Sequence, residues 1–139
     1  MSIDSIHKAL DTKLKTLSGG SIAAEDIITE NFVYDPTKGT AFLKSHLLPS
    51  QPVQATMGTT GQNIVIGIYW VNLFFPVDAG HSLSSVEADL VIALLKRGTN
   101  LTVSGVTVTI VSAGKQKSVE DADWYMTPVQ INWRSFLAN

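Results

Sequence analysis

The chain of 139 residues contains no cysteine, which excludes disulfide frameworks and thiolate zinc sites. That agrees with assembly in a reducing compartment. Charge is scarce too: Asp, Glu, Lys and Arg supply 16% of the residues and hydrophobic residues 45%, where about a quarter charged is usual. There is no basic excess, since ten Lys and Arg stand against twelve Asp and Glu for a formal net charge of -2. A nucleic-acid-binding surface needs clustered cations, so none is expected. The longest unbroken apolar run, residues 64–71, falls far below the ~20 residues that span a bilayer. No basic region followed by an apolar core opens the chain, so no signal peptide is expected.

This length predicts one domain, 1–139, able to bury about two-thirds of its unfolded surface without a metal or disulfide staple. A domain with so few charges has little with which to coat itself. Burial against other subunits is one resolution, because interface cores are depleted of charge.

Ile3, Ile6, Leu10, Leu14 and Leu17 recur at helical spacing. They predict a helix that begins behind Ser2 as N-cap and ends at Ser18-Gly19-Gly20. Asp4 with Lys8 and Asp11 with Lys15 stand as i,i+4 pairs on its outward side. Residues 31–34 read as a short strand before the turn Asp35-Pro36-Thr37-Lys38-Gly39. A strand over 41–48 ends at Pro49, the breaker-rich stretch 50–61 is a loop or hairpin tip, and a strand over 64–75 ends at Pro76. Ser84 and Glu87 read as a capping box. They open a second helix whose stripe is Leu83, Val86, Leu90, Ala93 and Leu94, stopped by Lys96-Arg97-Gly98. Val106, Val108 and Ile110 alternate with Thr107 and Thr109 as a half-buried strand, and 113–122 is a polar loop. The last strand, 123–136, places Tyr125, Thr127, Val129, Ile131 and Trp133 on one side. Pro128 cannot donate to a ladder, so an edge position or a bulge is expected there.

The fold expected is α+β: a single sheet of about four to five mainly antiparallel strands, two amphipathic helices on one face, in the order α-β-β-α-β-β. One stretch strains that picture. In "GIYWVNLFFP", residues 67–76, both sides of the strand are apolar, and two helices can cover only one.

No constellation for catalysis stands out. His7, His46 and His81 show no metal-ligand spacing with one another. His46 with Asp78 and Ser82 could converge, although polar residues at a helix entrance are the simpler reading of His81 and Ser82. Gly58-Thr59-Thr60-Gly61 lacks the Lys-Ser/Thr of a phosphate loop and precedes a strand. Glu120, Asp121 and Asp123 lack the spacing of a calcium loop. Trp70, Trp124 and Trp133 could form a stacking platform or simply pack. No enzyme, cofactor or metal site is expected.

"ENFVYDPTKGTAFLKSHLLPSQPVQATMG" (30–58), "GIYWVNLFFP", "KRGTNL" (96–101) and "DADWYMTPVQINWR" (121–134) together resemble a bacteriophage family of tail-terminator-like proteins. The likeness spans nearly the whole chain in order and spacing. Residues 37–42 depart from the family's more proline-rich approach to the strand. The resemblance implies a structural virion protein, from a phage or prophage, that forms a ring with copies of itself, commonly a hexamer. The ring caps the head-proximal end of the tail tube, stops tube polymerisation and offers a docking surface to the head–tail connector. Its partners would be the major tail tube protein and the connector. DNA would pass through the lumen without specific binding, and no membrane is involved. Assembly in the host cytoplasm and residence in the virion tail or neck follow. The competing readings are a tail-completion or head–tail joining protein of the same fold, a small ligand-binding α+β domain, and a tube subunit. Interface contacts are expected from the polar loops 54–61 and 114–122, through Gln54, Met57, Thr59, Thr60, Lys115 and Lys117, and from Trp124.

Overall fold

Helix α1 (Ile3–Leu14) turns its stripe inward, with Ile6, Leu10 and Leu14 fully buried. Each such side chain contributes roughly 1.5–3 kcal/mol relative to exposure. The computed structural model describes residues 3–20, 22–30, 40–50, 53–54, 61–77, 81–121 and 124–138. After a 3-10 turn (Ala24–Asp26) come β1 (Ile27–Ile28), β2 (Phe42–Pro49), β3 (Val53–Gln54) and β4 (Gln62–Pro76). Helix α2 (Ser82–Leu94) follows, then β5 (Asn100–Val103), β6 (Val106–Lys115), β7 (Val119–Asp121) and β8 (Trp124–Ala138).

The eight strands among the described residues belong to one sheet, whose main order is β1-β2-β4-β8-β6-β5; β3 pairs with β4, and β7 with β8. The β1–β2 pair is parallel and the others antiparallel. Its axis is the β4–β8 ladder, in register from Gln62↔Ala138 to Pro76↔Trp124. Fifteen residues extend about 50 Å. Val65, Tyr69, Val71, Leu73 and Phe75 of β4 and Val129, Ile131 and Trp133 of β8 form one core with both helices.

The expected sheet of four to five mainly antiparallel strands in the order α-β-β-α-β-β does not hold. The sheet is mixed, it dominates the molecule, and four of its strands are only two to four residues long. Segments that short cannot display a period. Two lie in the stretches read as loops: β3 within 50–61, and β7 within 113–122, where β6 also continues to Lys115. The β5–β6 hairpin turns on Ser104 and Gly105, with φ of 52° and 80°, the left-handed pair of a two-residue turn that suits the twist of the strands.

Pro128 lies in a central strand, between β4 and β6, not at an edge. It fits because pairing on that side of β8 is interrupted: β6 reaches Val129 and β7 reaches Met126. No donor is needed there, and the Pro128 carbonyl accepts from Gln116 N at 2.8 Å. The irregularity sits instead in β6, between Ile110 and Ser112, and leaves Val111 exposed. The readings for residues 31–39 and the Ser2 cap lie outside the described residues.

Helix α2 is rotated from its expected setting. It begins at Ser82 with His81 at the N-cap position, so Ser84 and Glu87 form no capping box at its start; Ser84 Oγ donates to the His81 carbonyl at 2.9 Å. Its buried residues are Ser84, Glu87, Ala88 and Val91, while Leu83 and Val86 are exposed. The cause is compositional: polar and apolar residues are spread around the helix, so its pattern does not single out one face.

Gly67 is a point of close approach. It pairs with Trp133 across the ladder, and a Cβ there would stand 2.5 Å from the Leu48 carbonyl oxygen and 2.6 Å from the indole. Neither neighbour is a flexible side-chain end. Gly67→Ala should therefore cost about 1–3 kcal/mol through overpacking, measured as a lowered urea midpoint with an unchanged slope.

Candidate functional site

The first place to look for chemistry is a polar cluster beneath α1. Tyr69 Oη donates to Asp11 Oδ1, and His7 Nε2 stands 3.4 Å from Asp11 Oδ2. The trio has the residue types of a proton relay, but Tyr69 is fully buried. Burial, then the Asp11 charge and the hydrogen bond to it, hold the Tyr69 phenol well above its ordinary 10.0. A phenol kept neutral and shielded is a fastening between α1 and β4. Burial also raises Asp11 above 3.8, opposed by the Tyr69 hydrogen bond and by His7 and Lys15. Asp11 thus turns inward, whereas the Asp4–Lys8 pair at 2.9 Å is exposed as expected.

The other candidates do not converge. His46 is half-buried on β2 opposite Trp70, on the side of the sheet away from the helices, whereas Ser82 opens α2. Asp78 and Asp123 lie outside the described residues. Among the described residues, no group of three His, Asp or Glu could hold a metal ion. The tryptophans are split by the sheet: Trp133 is in the core, while Trp70 and Trp124 occupy the opposite face and are half-buried.

That opposite face is the unusual feature. At one end Phe42 stacks on Phe74 with centroids 4.7 Å apart and meets Trp124 edge-on at 4.9 Å; such pairs add about 0.5–1.5 kcal/mol each beyond their burial. A polar row crosses the middle, where Gln130 Nε2 donates to Asn132 Oδ1 at 3.1 Å and Asn132 Nδ2 to Ser112 Oγ at 2.7 Å. The far end is apolar and uncovered: Leu48 and Phe136 are 50% exposed and Ile66 54%, beside half-buried Ile64 and Ile68. A groove of about 550 Å³ runs through it, lined by Leu48, Pro49, Ile66, Ile68, Val111 and Trp133 among others. Contiguous exposed apolar surface of this kind marks an interaction site.

The residues expected at an interface lie far apart. Gln54 ends β3 and pairs with Asn63 near one end of β4; Trp124 pairs with Pro76 at the other, about 43 Å along the strand. Lys115 is exposed and donates from Nζ to Ser85 Oγ of α2 at 3.2 Å, and Lys117 is exposed in the following loop. Met57, Thr59 and Thr60 lie outside the described residues. The residues named do not include those of the apolar end of the sheet, although the doubly apolar run 64–75 pointed to this face as one that the helices leave bare.

A long β ladder, helices on one face and an uncovered apolar surface on the other define an assembly module. The family model "Phage tail terminator protein" matches residues 5–133, and the chain belongs to that family; it is a structural protein of the phage tail. Comparison with curated protein sequences finds no match. Among solved structures, one protein has a TM-score of 0.76 at 15% identity, covering 97% of this chain and 96% of its own. Another, a chain from the virion of a native gene transfer agent particle, has a TM-score of 0.56 at 17% identity, covering 99% and 100%. Both likenesses concern the fold. No helix among the described residues is long and apolar enough to cross a membrane.

The Tyr69–Asp11 fastening sets a pH dependence. Both folded values are raised, so each contribution is complete below the unfolded value and lost as pH rises toward the folded one. Asp11 therefore lowers stability as pH climbs from about 3.8, and Tyr69 does so above about 10. Tyr69→Phe should cost about 2 kcal/mol at pH 7 yet show a smaller further loss above pH 10 than the wild type. Urea midpoints across pH measure both.

Proposed function

We propose that this protein caps the head-proximal end of the tail tube as a ring of identical subunits, stops tube growth and presents a docking surface to the head–tail connector. The observation that carries this reading is the uncovered apolar end of the sheet, in a chain that belongs to the tail terminator family. A subunit that leaves such surface bare meets its needs by association, and a heterologous contact repeated around a closing rotation leaves none of it unmatched. A hexamer is the ring size carried over from the family resemblance.

Termination follows if one side of the ring offers the surface an incoming tube subunit would offer, while the other cannot accept a further subunit. Binding energy alone then halts growth, with no bond made or broken and no cofactor. The loops 54–61 and 114–122 are proposed to reach the tube or the neighbouring copy, through Gln54, Met57, Thr59, Thr60, Lys115, Lys117 and Trp124. The mildly acidic balance suits a lumen through which DNA slides without adhering. The gene transfer agent particle among the fold relatives supports a place in a virion.

Particles assembled without this protein test the reading. Electron microscopy should find tubes well beyond normal length and lacking heads. Tubes of normal length that merely fail to join heads would instead assign the protein to head–tail joining and overturn the terminator role.

A further inference from the structure

The chain bares two apolar surfaces, on opposite sides of the sheet layer and unlike in shape. One is a ridge. Helix α2 packs its Ala88–Val91 side on the sheet, and its outward side presents Leu83 and Val86, 48% and 54% exposed, with Leu90 and Ala93 continuing the line. The other is the groove across the apolar end of the far face, through Leu48, Ile66 and Val111.

Three properties match them. Both are apolar at their centres. Their lengths agree: Leu83 to Leu94 spans about 17 Å of helix, and Ile64 to Trp70 about 20 Å of strand. They offer one pair of opposite charges, although Lys115 also reaches α2 at Ser85. Asp89 is the exposed charged residue of α2, Glu87 being buried. The far face carries exposed Lys44 and Arg134; among the described residues β2, β4, β6 and β8 hold no acidic side chain between the row of Ile64 and that of Lys44, and Glu30 stands at the β2 edge, where its Oε1 accepts from Leu47 N. Arg134 pairs with Ile66 across the ladder, beside the groove.

We propose that the α2 ridge of one copy seats in the sheet groove of the next, with Asp89 facing Arg134. The contact is head-to-tail. Because ridge and groove lie on opposite sides, each copy gives its helix to one neighbour and its groove to the other, and a two-fold pair cannot satisfy both. This rests on the ring reading above and specifies which surfaces meet in it.

The absence of native cysteine makes the test direct. Protein bearing Val86→Cys is mixed with size-tagged protein bearing Ile66→Cys and treated with a short bismaleimide, in concentrated solution and on purified tail tubes. Both positions are exposed, so the fold is retained, which circular dichroism checks. The mixed product should exceed either self-linked product at least about tenfold. Self-linked products that predominate, or rings that form without the mixed product, overturn the proposal while leaving the ring intact. Asp89→Arg and Arg134→Asp should each weaken association at least about tenfold, and the double variant should restore it; a double variant no better than the singles overturns the pairing. Wild-type protein that stays monomeric both in concentrated solution and on tubes overturns the ring reading, and this contact with it.

Discussion

The structure depends on strand β4 being apolar on both of its faces. Its odd-numbered side, from Val65 through Tyr69 to Phe75, is covered by the chain itself and forms the centre of the core. Its even-numbered side is covered only at one end, where Phe42, Phe74 and Trp124 cover one another. At the other end Ile66 and its neighbours remain open. A long central strand with a buried partner on each side cannot turn this surface inward, because a one-residue slip in register would expose the entire core set. The uncovered surface is therefore fixed by the same pattern that makes the fold.

The consequence for function runs through composition. With 16% charged residues, the chain has few side chains with which to solvate a bare sheet face, and β2, β4, β6 and β8 place only Lys44 and Arg134 there among the described residues. The polar row of Gln130, Asn132 and Ser112 divides it, which confines the open apolar area to one end. Helix α2 behaves likewise. It places Ser84 and Glu87 in the interior and leaves Leu83 and Val86 outside, an inversion that costs free energy in an isolated subunit and is relieved when those side chains meet another surface. Two such exposures among the described residues of one small domain make association with another protein surface a physical expectation.

How much of this was legible in the sequence differs by element. Helix α1, β2, β4 and β8 were readable, because an amphipathic helix of twelve residues and strands of eight to fifteen, bounded by breakers such as Pro49 and Pro76, are long enough to be unambiguous. The short strands were not, since two to four residues carry no period, and the Ser104-Gly105 turn was the one local signal that marked β5. The rotation of α2 escaped because its apolar residues fit two faces and the choice is made by tertiary packing. The inward turn of Asp11 escaped because its partner, Tyr69, lies 58 residues away. The open face was half legible: the doubly apolar stretch showed that one side of β4 lacks a cover, but not that the bare area is confined to one end, which the Gln130–Asn132–Ser112 contacts decide.

The central claim is that the open end of the sheet is covered by protein in the virion. Thiol alkylation at Ile66→Cys tests it most directly, in a chain with no competing cysteine. The thiol should react readily in the isolated subunit and be protected in assembled tails, whereas equal reactivity in both would contradict the account.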